Sequence, residues 1–157
     1  MRTLRFEDDG RIPNNPALPA RIYSGIEEAR QGADACIELF ASNGWTRAWR
    51  DGLIFPFHHF HSTAHEVLGI VSGGTRVKLG GESGQQLDVK AGDVLVLPAG
   101  TGHRRLGGTD GLAVVGAYAD GREWDLLRGD PAEHDAAVAR IKQVPLPDKD
   151  PVTGEPF

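Results

Sequence analysis

The sequence has few of the residues that build cross-linked or membrane-anchored structures. It contains a single cysteine, Cys36, so no disulfide can form within the chain. The longest apolar run, residues 112–119, is far shorter than the roughly 20 residues needed to cross a bilayer as a helix. Met1–Gly10 is acidic and lacks the apolar centre of a signal peptide. We therefore expect a soluble, cytoplasmic protein with no membrane partner.

A basic surface is also missing. Lysine and arginine total 17 against 22 aspartates and glutamates, the formal net charge is −5, and the basic residues are scattered. Proteins that bind nucleic acid normally present clustered positive charge. The glycine pairs at residues 73–74 and 80–81 are predicted to join strands, so neither forms a phosphate loop between a strand and a helix. We expect no nucleic-acid partner and favour a small-molecule ligand.

Glycine is the residue in excess, with 21 of 157 positions, well above its usual share of about 7%. Because the glycines show no collagen period, they indicate many tight turns between short strands. The length is typical of one domain. We predict an extended arm over residues 1–24, a helix over 26–43, a strand-rich barrel over 44–119, a helix over 130–144 and an extended tail over 145–157. Short strands flanked by terminal helices favour an all-β core folded as a jelly-roll barrel.

Three candidate metal ligands lie within eight residues, His59, His61 and Glu66, and a fourth, His103, follows in a separate segment. Alternate side chains of a strand share a face, so His59 and His61 point the same way and His58 points the other way. Residues 66–71 read as a second strand, which brings Glu66 towards the same point if the strands pair. Three imidazoles and a carboxylate suit one divalent transition metal, Fe, Mn, Ni, Co, Cu or Zn.

Strand alternation alone does not decide between Glu66 and His65. An unbroken strand would place His65 on the face of His59 and His61, whereas a turn at Ser62–Ala64 would bring Glu66 to that face.

The two ligand segments resemble the two motifs of the cupin superfamily. The segment from His59 to Gly73 matches the first motif, His-x-His, four residues, Glu, six residues, Gly, and the segment from Gly92 to His103 matches the second. The sequence departs from the family at the glycine before the histidines, Gly52, which lies one residue further away than usual, and at Gly107, where asparagine is common. The resemblance implies a double-stranded β-helix with His59, His61, Glu66 and His103 as ligands.

The whole chain also resembles the small bacterial YjlB-like cupins. The shared features are Asp-Asp-Gly-Arg-Ile-Pro-Asn-Asn-Pro near the start, His-His-Phe-His-Ser in the core and Gly-Arg-Glu-Trp-Asp-Leu followed by Val-Pro-Leu-Pro near the end. The spacing of the family motif selects Glu66 as the ligand and leaves His65 as a residue of the pocket or of the shell around the metal. The subgroup brings no assigned reaction with it.

Other side chains are weaker candidates for the pocket. Arg105 shares its strand face with His103 and could reach the site, whereas Arg76 and Lys78 are expected on a solvated outer face. The three tryptophans, Trp45, Trp49 and Trp124, most often fill cores and interfaces, although each could line a pocket.

Three predicted strands lack the polar alternation of a half-exposed strand. Residues 67–71, 94–97 and 112–118 are apolar on both faces, so both faces need cover. The terminal helices could supply that cover, and a second subunit could supply it too. Because the resemblance includes dimeric cupins, we expect a homodimer.

The predicted function is that of a metal-binding cupin. Four protein ligands leave about two open positions on an octahedral metal, enough to bind a small molecule. We favour a metal-dependent enzyme of the dioxygenase, isomerase or decarboxylase type, with no residue assigned as catalytic. The alternative is a non-catalytic module that binds a small molecule or the metal alone.

Overall fold

Nine antiparallel strands form two sheets that enclose the main apolar core. The computed structural model describes residues 1–157. The strands are β1 (Arg2–Leu4), β2 (Ala20–Tyr23), β3 (Trp45–Asp51), β4 (Glu66–Ser72), β5 (Gly74–Leu79), β6 (Gln85–Lys90), β7 (Val94–Leu97), β8 (His103–Arg105) and β9 (Ala113–Ala119). Six of them form a sheet in the order β1-β2-β7-β4-β9-β3, and three form a sheet in the order β6-β5-β8. The predicted all-β jelly-roll core is confirmed.

The core lies between the two sheets because alternate residues of their strands point inwards. Leu68 and Ile70 of β4 meet Val77 and Leu79 of β5 in one cluster of twelve buried apolar residues. The pattern follows directly from the two-residue period of a strand. This packing fixes the positions of the strand ends, where the candidate ligands lie.

The outer faces of β4 and β7 are covered by helices of the same chain. Helix α1 (Glu27–Gln31) and helix α2 (Ala33–Ser42) precede β3, and Cys36 and Phe40 pack with Val67, Val94 and Val96 in a second buried cluster. The chain itself therefore covers the apolar faces for which we expected a partner subunit. Cys36 behaves as a small apolar residue, since burial raises the pKa of its thiol to about 12.

The predicted helix over residues 26–43 is broken into two at Gly32, which has φ 128° and ψ −173°. Side-chain-bearing residues rarely adopt that φ, so glycine permits the break. The second helix lies very close to the sheet: a Cβ at Gly69 would lie 2.5 Å from the Cys36 sulfur. The absence of a side chain at position 69 thus allows the helix to cover the sheet.

The predicted arm contributes the edge strand β1 and its neighbour β2, which pairs with β7. After β9, a 3-10 turn at Pro131–Glu133 leads into helix α3 (His134–Gln143), and Asp130 accepts a hydrogen bond from the Ala132 N–H at the start of that turn. The terminal helices agree approximately with the predicted ones. None of the helices combines the length and apolar character that crossing a membrane requires.

The tail after α3 is not simply extended. It turns at Asp150, whose Oδ1 accepts hydrogen bonds from the N–H groups of Val152 and Thr153 at 2.8 and 3.0 Å. The Asp150 Oδ2 also accepts from the Tyr23 hydroxyl at 2.6 Å and from Arg21 at 2.9 Å. The local turn that folds the tail therefore also ties it to β2.

Candidate metal centre

The three predicted histidines converge at one end of the barrel. His59 forms an isolated β-bridge with His103, with backbone hydrogen bonds of 3.1 and 3.0 Å in the two directions, and His61 follows two residues later. One potential ligand nitrogen from each of the three rings lies within 4.8 Å of the other two, and all three residues are buried. Two distant chain segments thus supply one compact set of imidazoles.

Backbone carbonyls fix the orientation of all three rings. The Nδ1 atoms of His59 and His103 each lie 3.0 Å from the carbonyl oxygens of Phe57 and Thr101, respectively, and the His61 Nδ1 contacts the Asp125 carbonyl. A carbonyl oxygen only accepts, so Nδ1 donates in each case. In a neutral ring the lone pair is then on Nε2, the atom available to a metal.

Glu66 completes the cluster from β4. Its Oε1 lies 3.4 Å from His61 Nε2 and 3.2 Å from His103 Nε2. The residue is 2% exposed, and its Oε1 has no hydrogen-bond partner of acceptable geometry. When His61 and His103 are neutral and protonated on Nδ1, their Nε2 atoms are hydrogen-bond acceptors. These Nε2 atoms then face Glu66 Oε1, which is also an acceptor. A cation between them would remove that repulsion, so the four side chains fit a divalent metal.

Burial and charge shape the protonation of the cluster. Burial and the neighbouring His103 lower the pKa of His59 to about 3, so its ring is neutral near pH 7. Burial by itself would lower the pKa of His61, but the Glu66 carboxylate outweighs it and raises that pKa. Burial would raise the pKa of Glu66, yet His61 and His103 hold it below its usual range. Near neutral pH, Glu66 is therefore an anion.

A bend at Ser62–Thr63 separates the histidine segment from β4, and Asp125 holds that bend. The Asp125 carboxylate accepts hydrogen bonds from the Ser62 N–H at 2.6 Å, from the Ser62 hydroxyl and from Thr63 Oγ1 at 3.3 Å. Sequence reasoning did not find this role. The available signal was the Gly-Arg-Glu-Trp-Asp segment, which we related to the family without assigning it a contact.

His65 lies apart from the cluster. Its Nδ1 accepts the Ala99 N–H at 2.8 Å, and its Nε2 donates to the Pro145 carbonyl at 3.1 Å. Both ring nitrogens are therefore used to join the β7 end to the segment after α3, and burial lowers the pKa of the ring to about 4. This geometry gives His65 no nitrogen that is free to face a metal.

The guanidinium of Arg105 is engaged by backbone carbonyls. It donates from Nε to the Ile54 carbonyl at 3.0 Å and from Nη1 to the Gly107 carbonyl. Neither Arg105 nor His65 lines the cavity beside the four donors. Arg76 pairs with Asp88 at 2.9 Å in an exposed position.

A cavity of about 240 Å³ opens beside the donors. Its wall consists of Trp49, Arg50, Asp51, Leu53, Ile54, Phe55, Leu68, Tyr118, Trp124 and Leu126, together with the four donors. The wall is mostly apolar, which is typical of small-molecule sites. Trp49 and Trp124 line this cavity, whereas Trp45 is buried in the core.

Tyr118 is a wall residue that sequence reasoning did not single out. It pairs with Glu66 in the register of β9 against β4, and its hydroxyl accepts a hydrogen bond from Trp49 Nε1 at 3.0 Å. The Trp49 ring can lie across β9 because residue 116 is glycine: a Cβ there would lie 2.1 Å from the indole. Burial, followed by the Glu66 carboxylate, raises the pKa of Tyr118 far above its usual value.

Comparison with known proteins identifies a family model and a full-length relative. Residues 49–114 match the family model described as a cupin domain. The uncharacterized protein YjlB of Bacillus subtilis (strain 168) is 40% identical over 154 residues, which cover 98% of this chain and 91% of the relative. This similarity spans both ligand segments.

Solved structures provide more distant similarities. Bacillus subtilis oxalate decarboxylase matches at 21% identity and a TM-score of 0.41, over 52% of this chain and 22% of that one. Acireductone dioxygenase from Bacillus anthracis, with a cadmium ion in its active centre, matches at 21% identity and a TM-score of 0.43, over 58% of this chain and 60% of that one. The chain therefore spans about a fifth of the former protein and about three fifths of the latter.

Proposed function

This chain belongs to the YjlB-like cupins, and we propose that it binds one divalent transition metal through His59, His61, Glu66 and His103 and acts on a small molecule there. The observation that supports this most is the buried Glu66 Oε1, which lacks a hydrogen bond and faces two imidazole Nε2 atoms. A buried anion normally has donors around it. Here the surrounding protein supplies further metal ligands instead.

The charge of the donor set leaves the centre reactive towards oxygen ligands. A divalent metal with three neutral imidazoles and one carboxylate has a net charge of about +1. Such a metal, when bound, acts as a Lewis acid that polarises an oxygen donor. The donor set suits Fe, Mn, Ni, Co, Cu or Zn. The carbonyl partners of the three Nδ1 atoms keep the rings oriented towards the metal.

The cavity beside the donors favours an enzyme of the dioxygenase, isomerase or decarboxylase type. Phe55 and Trp124 line it and are partly exposed, so a small molecule can reach the four donors from solvent. An open site of this kind differs from a structural metal site, in which protein ligands close the coordination sphere.

A non-catalytic binding module is the second candidate, and the wall of the cavity supports it. Apart from the four donors, its titratable residues are Arg50, Asp51 and Tyr118. Arg50 pairs with Asp34 at 2.7 Å, the Asp51 carboxylate accepts the Gly52 N–H, and the raised pKa of Tyr118 keeps it protonated. The wall therefore offers no obvious second acid–base group. A substrate screen with the native metal restored separates the two candidates.

Metal analysis tests the ligand set directly. After metal-limited reconstitution, the wild-type protein should contain about one metal ion per chain, and His61→Ala and His103→Ala should lose most of it. The control is His134→Ala, because His134 lies outside the cluster, at the start of α3. It pairs there with Asp8 and with its neighbour Asp135. Unchanged metal content in both cluster variants would contradict the proposal.

The homodimer and the cytoplasmic location stay predictions. The resemblance to dimeric cupins still supports a dimer, although α1 and α2 already cover the apolar strand faces. Light scattering at micromolar concentration should give twice the chain mass of 16.9 kDa. A stable mass of one chain would rule out a tight dimer.

A further inference from the structure

Two aromatic side chains at the metal cavity are unusually exposed. Phe55 is 42% exposed and Trp124 is 39% exposed, and both line the cavity. The other exposed large apolar residues, Met1, Leu106 and Leu146, lie outside it. Exposed aromatic surface concentrated at one cavity indicates a surface that a ligand covers.

Both rings are held in place next to the predicted ligands. Phe55 lies edge-on to His59 with ring centroids 5.4 Å apart, and it stacks on Phe57 at 5.0 Å with an interplanar angle of 12°. Trp124 lies edge-on to His61 at 5.3 Å, and it stacks on Tyr118 at 5.5 Å and 16°. Rings that are already ordered lose little conformational entropy when a flat partner packs against them.

The charges around the cavity disfavour a ligand with a second strongly anionic group. Arg50, the one basic side chain in the wall apart from the histidines, is paired with Asp34. Arg105 donates to two backbone carbonyls instead of facing the cavity. A phosphate or a second carboxylate would therefore meet a mostly apolar wall, in which it would have to compete with Asp34 for the one basic side chain, Arg50.

The size of the cavity limits the ligand further. A cavity of about 150 Å³ accommodates one benzene molecule. At about 240 Å³, this cavity has room for one ring with a small polar group, and is below the common range of about 300–1,000 Å³ for drug-sized ligands.

We propose that the centre binds small molecules made of one flat apolar ring and a bidentate oxygen group, with the ring packed against Phe55 and Trp124. The oxygen group is the part that meets the metal. This inference rests on the proposed metal centre and specifies the chemical class of its substrate.

Two hydroxamates that share one chelating group isolate the contribution of the ring. Benzohydroxamate carries a phenyl ring and acetohydroxamate carries a methyl group, and both can be titrated calorimetrically into the zinc-loaded protein. We expect benzohydroxamate to bind at least about tenfold more tightly, the factor that corresponds to 1.4 kcal/mol. Equal affinities in a protein that holds zinc would overturn the ring proposal and leave the metal proposal standing.

Variants show whether the two aromatic residues cause the preference. Phe55→Ala and Trp124→Ala should each reduce the ratio of benzohydroxamate to acetohydroxamate affinity several-fold, measured on protein of known zinc content. The control is Leu146→Ala, which removes an even more exposed apolar side chain outside the cavity. A preference that survives in both aromatic variants would overturn the assignment. A wild-type protein that binds neither zinc nor any of the other candidate metals would overturn both this inference and the proposed function.

Discussion

Two buried carboxylates of this protein have opposite surroundings. Asp150 is 1% exposed and Glu66 is 2% exposed. Asp150 accepts four hydrogen bonds, from the N–H groups of Val152 and Thr153, from the Tyr23 hydroxyl and from Arg21. Glu66 has an Oε1 with no hydrogen bond and two histidine nitrogens nearby. The two carboxylates are therefore almost equally buried, but they differ greatly in the number of hydrogen bonds that they accept.

This difference distinguishes a carboxylate with a structural role, Asp150, from one that belongs to a candidate functional site, Glu66. Burial of a carboxylate is costly unless donors or a cation compensate it. The chain supplies the donors for Asp150 itself, and the result is a clamp between the tail and β2. Around Glu66 the chain supplies only the Nε2 atoms of His61 and His103, which hold its pKa low and which a divalent metal would also take. We interpret the unsatisfied carboxylate as the mark of the metal centre.

The largest expected effect is the loss of metal in Glu66→Gln. A site with four protein ligands is worth about 10–16 kcal/mol, so one ligand contributes roughly 3–4 kcal/mol, or a hundred- to thousandfold in affinity. Titration of the metal-free protein with zinc in the presence of a competing chelator measures this change. The protein should remain folded, because Oε1 accepts no hydrogen bond that the amide would lose.

His65→Ala is the matched control for that variant, since it removes the adjacent buried residue. His65 bridges the Ala99 N–H and the Pro145 carbonyl, so its loss should lower the free energy of unfolding and change zinc affinity only modestly. If His65→Ala weakens zinc binding more than Glu66→Gln, the assignment of Glu66 as the ligand is wrong.

The sequence allowed prediction of the three histidines of the candidate site, two from local strand geometry and one from a family motif. His59 and His61 share a face because of strand alternation, and the motif spacing pointed to His103, whose ring centroid lies 4.0 Å from that of His59. The Asp150 clamp was not predictable in this way, because its side-chain partners are 127 and 129 residues away. The break in the helix at Gly32 could not be predicted either, because apolar residues continue at helical spacing on both sides of it.

The second-largest effect concerns the stability of the clamp. Asp150→Ala leaves Arg21 and Tyr23 without their partner, and breaking a buried charge pair costs about 3–5 kcal/mol. We expect about 3 kcal/mol here, since the Arg21 side chain is still 17% exposed. Urea unfolding measures the loss, and zinc content should not change.

Asp88→Ala is the control for the clamp, because Asp88 pairs with Arg76 in an exposed position. An exposed pair contributes little to stability, so this variant should unfold like the wild type. If the two variants lose the same stability, the clamp is no stronger than a surface ion pair and the contrast between the two carboxylates disappears.

The smallest expected effect is a change in the acid sensitivity of folding. Burial alone would raise the pKa of Asp150, but hydrogen bonds from Tyr23, Thr153 and Val152 outweigh it and hold that pKa below the ordinary 3.8. Because the folded-state pKa is the lower one, the stabilisation is complete above the unfolded-state pKa and is lost as the pH falls through the folded-state value. Each unit of difference is worth about 1.4 kcal/mol. Urea unfolding from about pH 5 down to about pH 3 should therefore show a shallower loss of stability in Asp150→Asn than in the wild type, and equal slopes would mean that the clamp does not depend on the charge of Asp150.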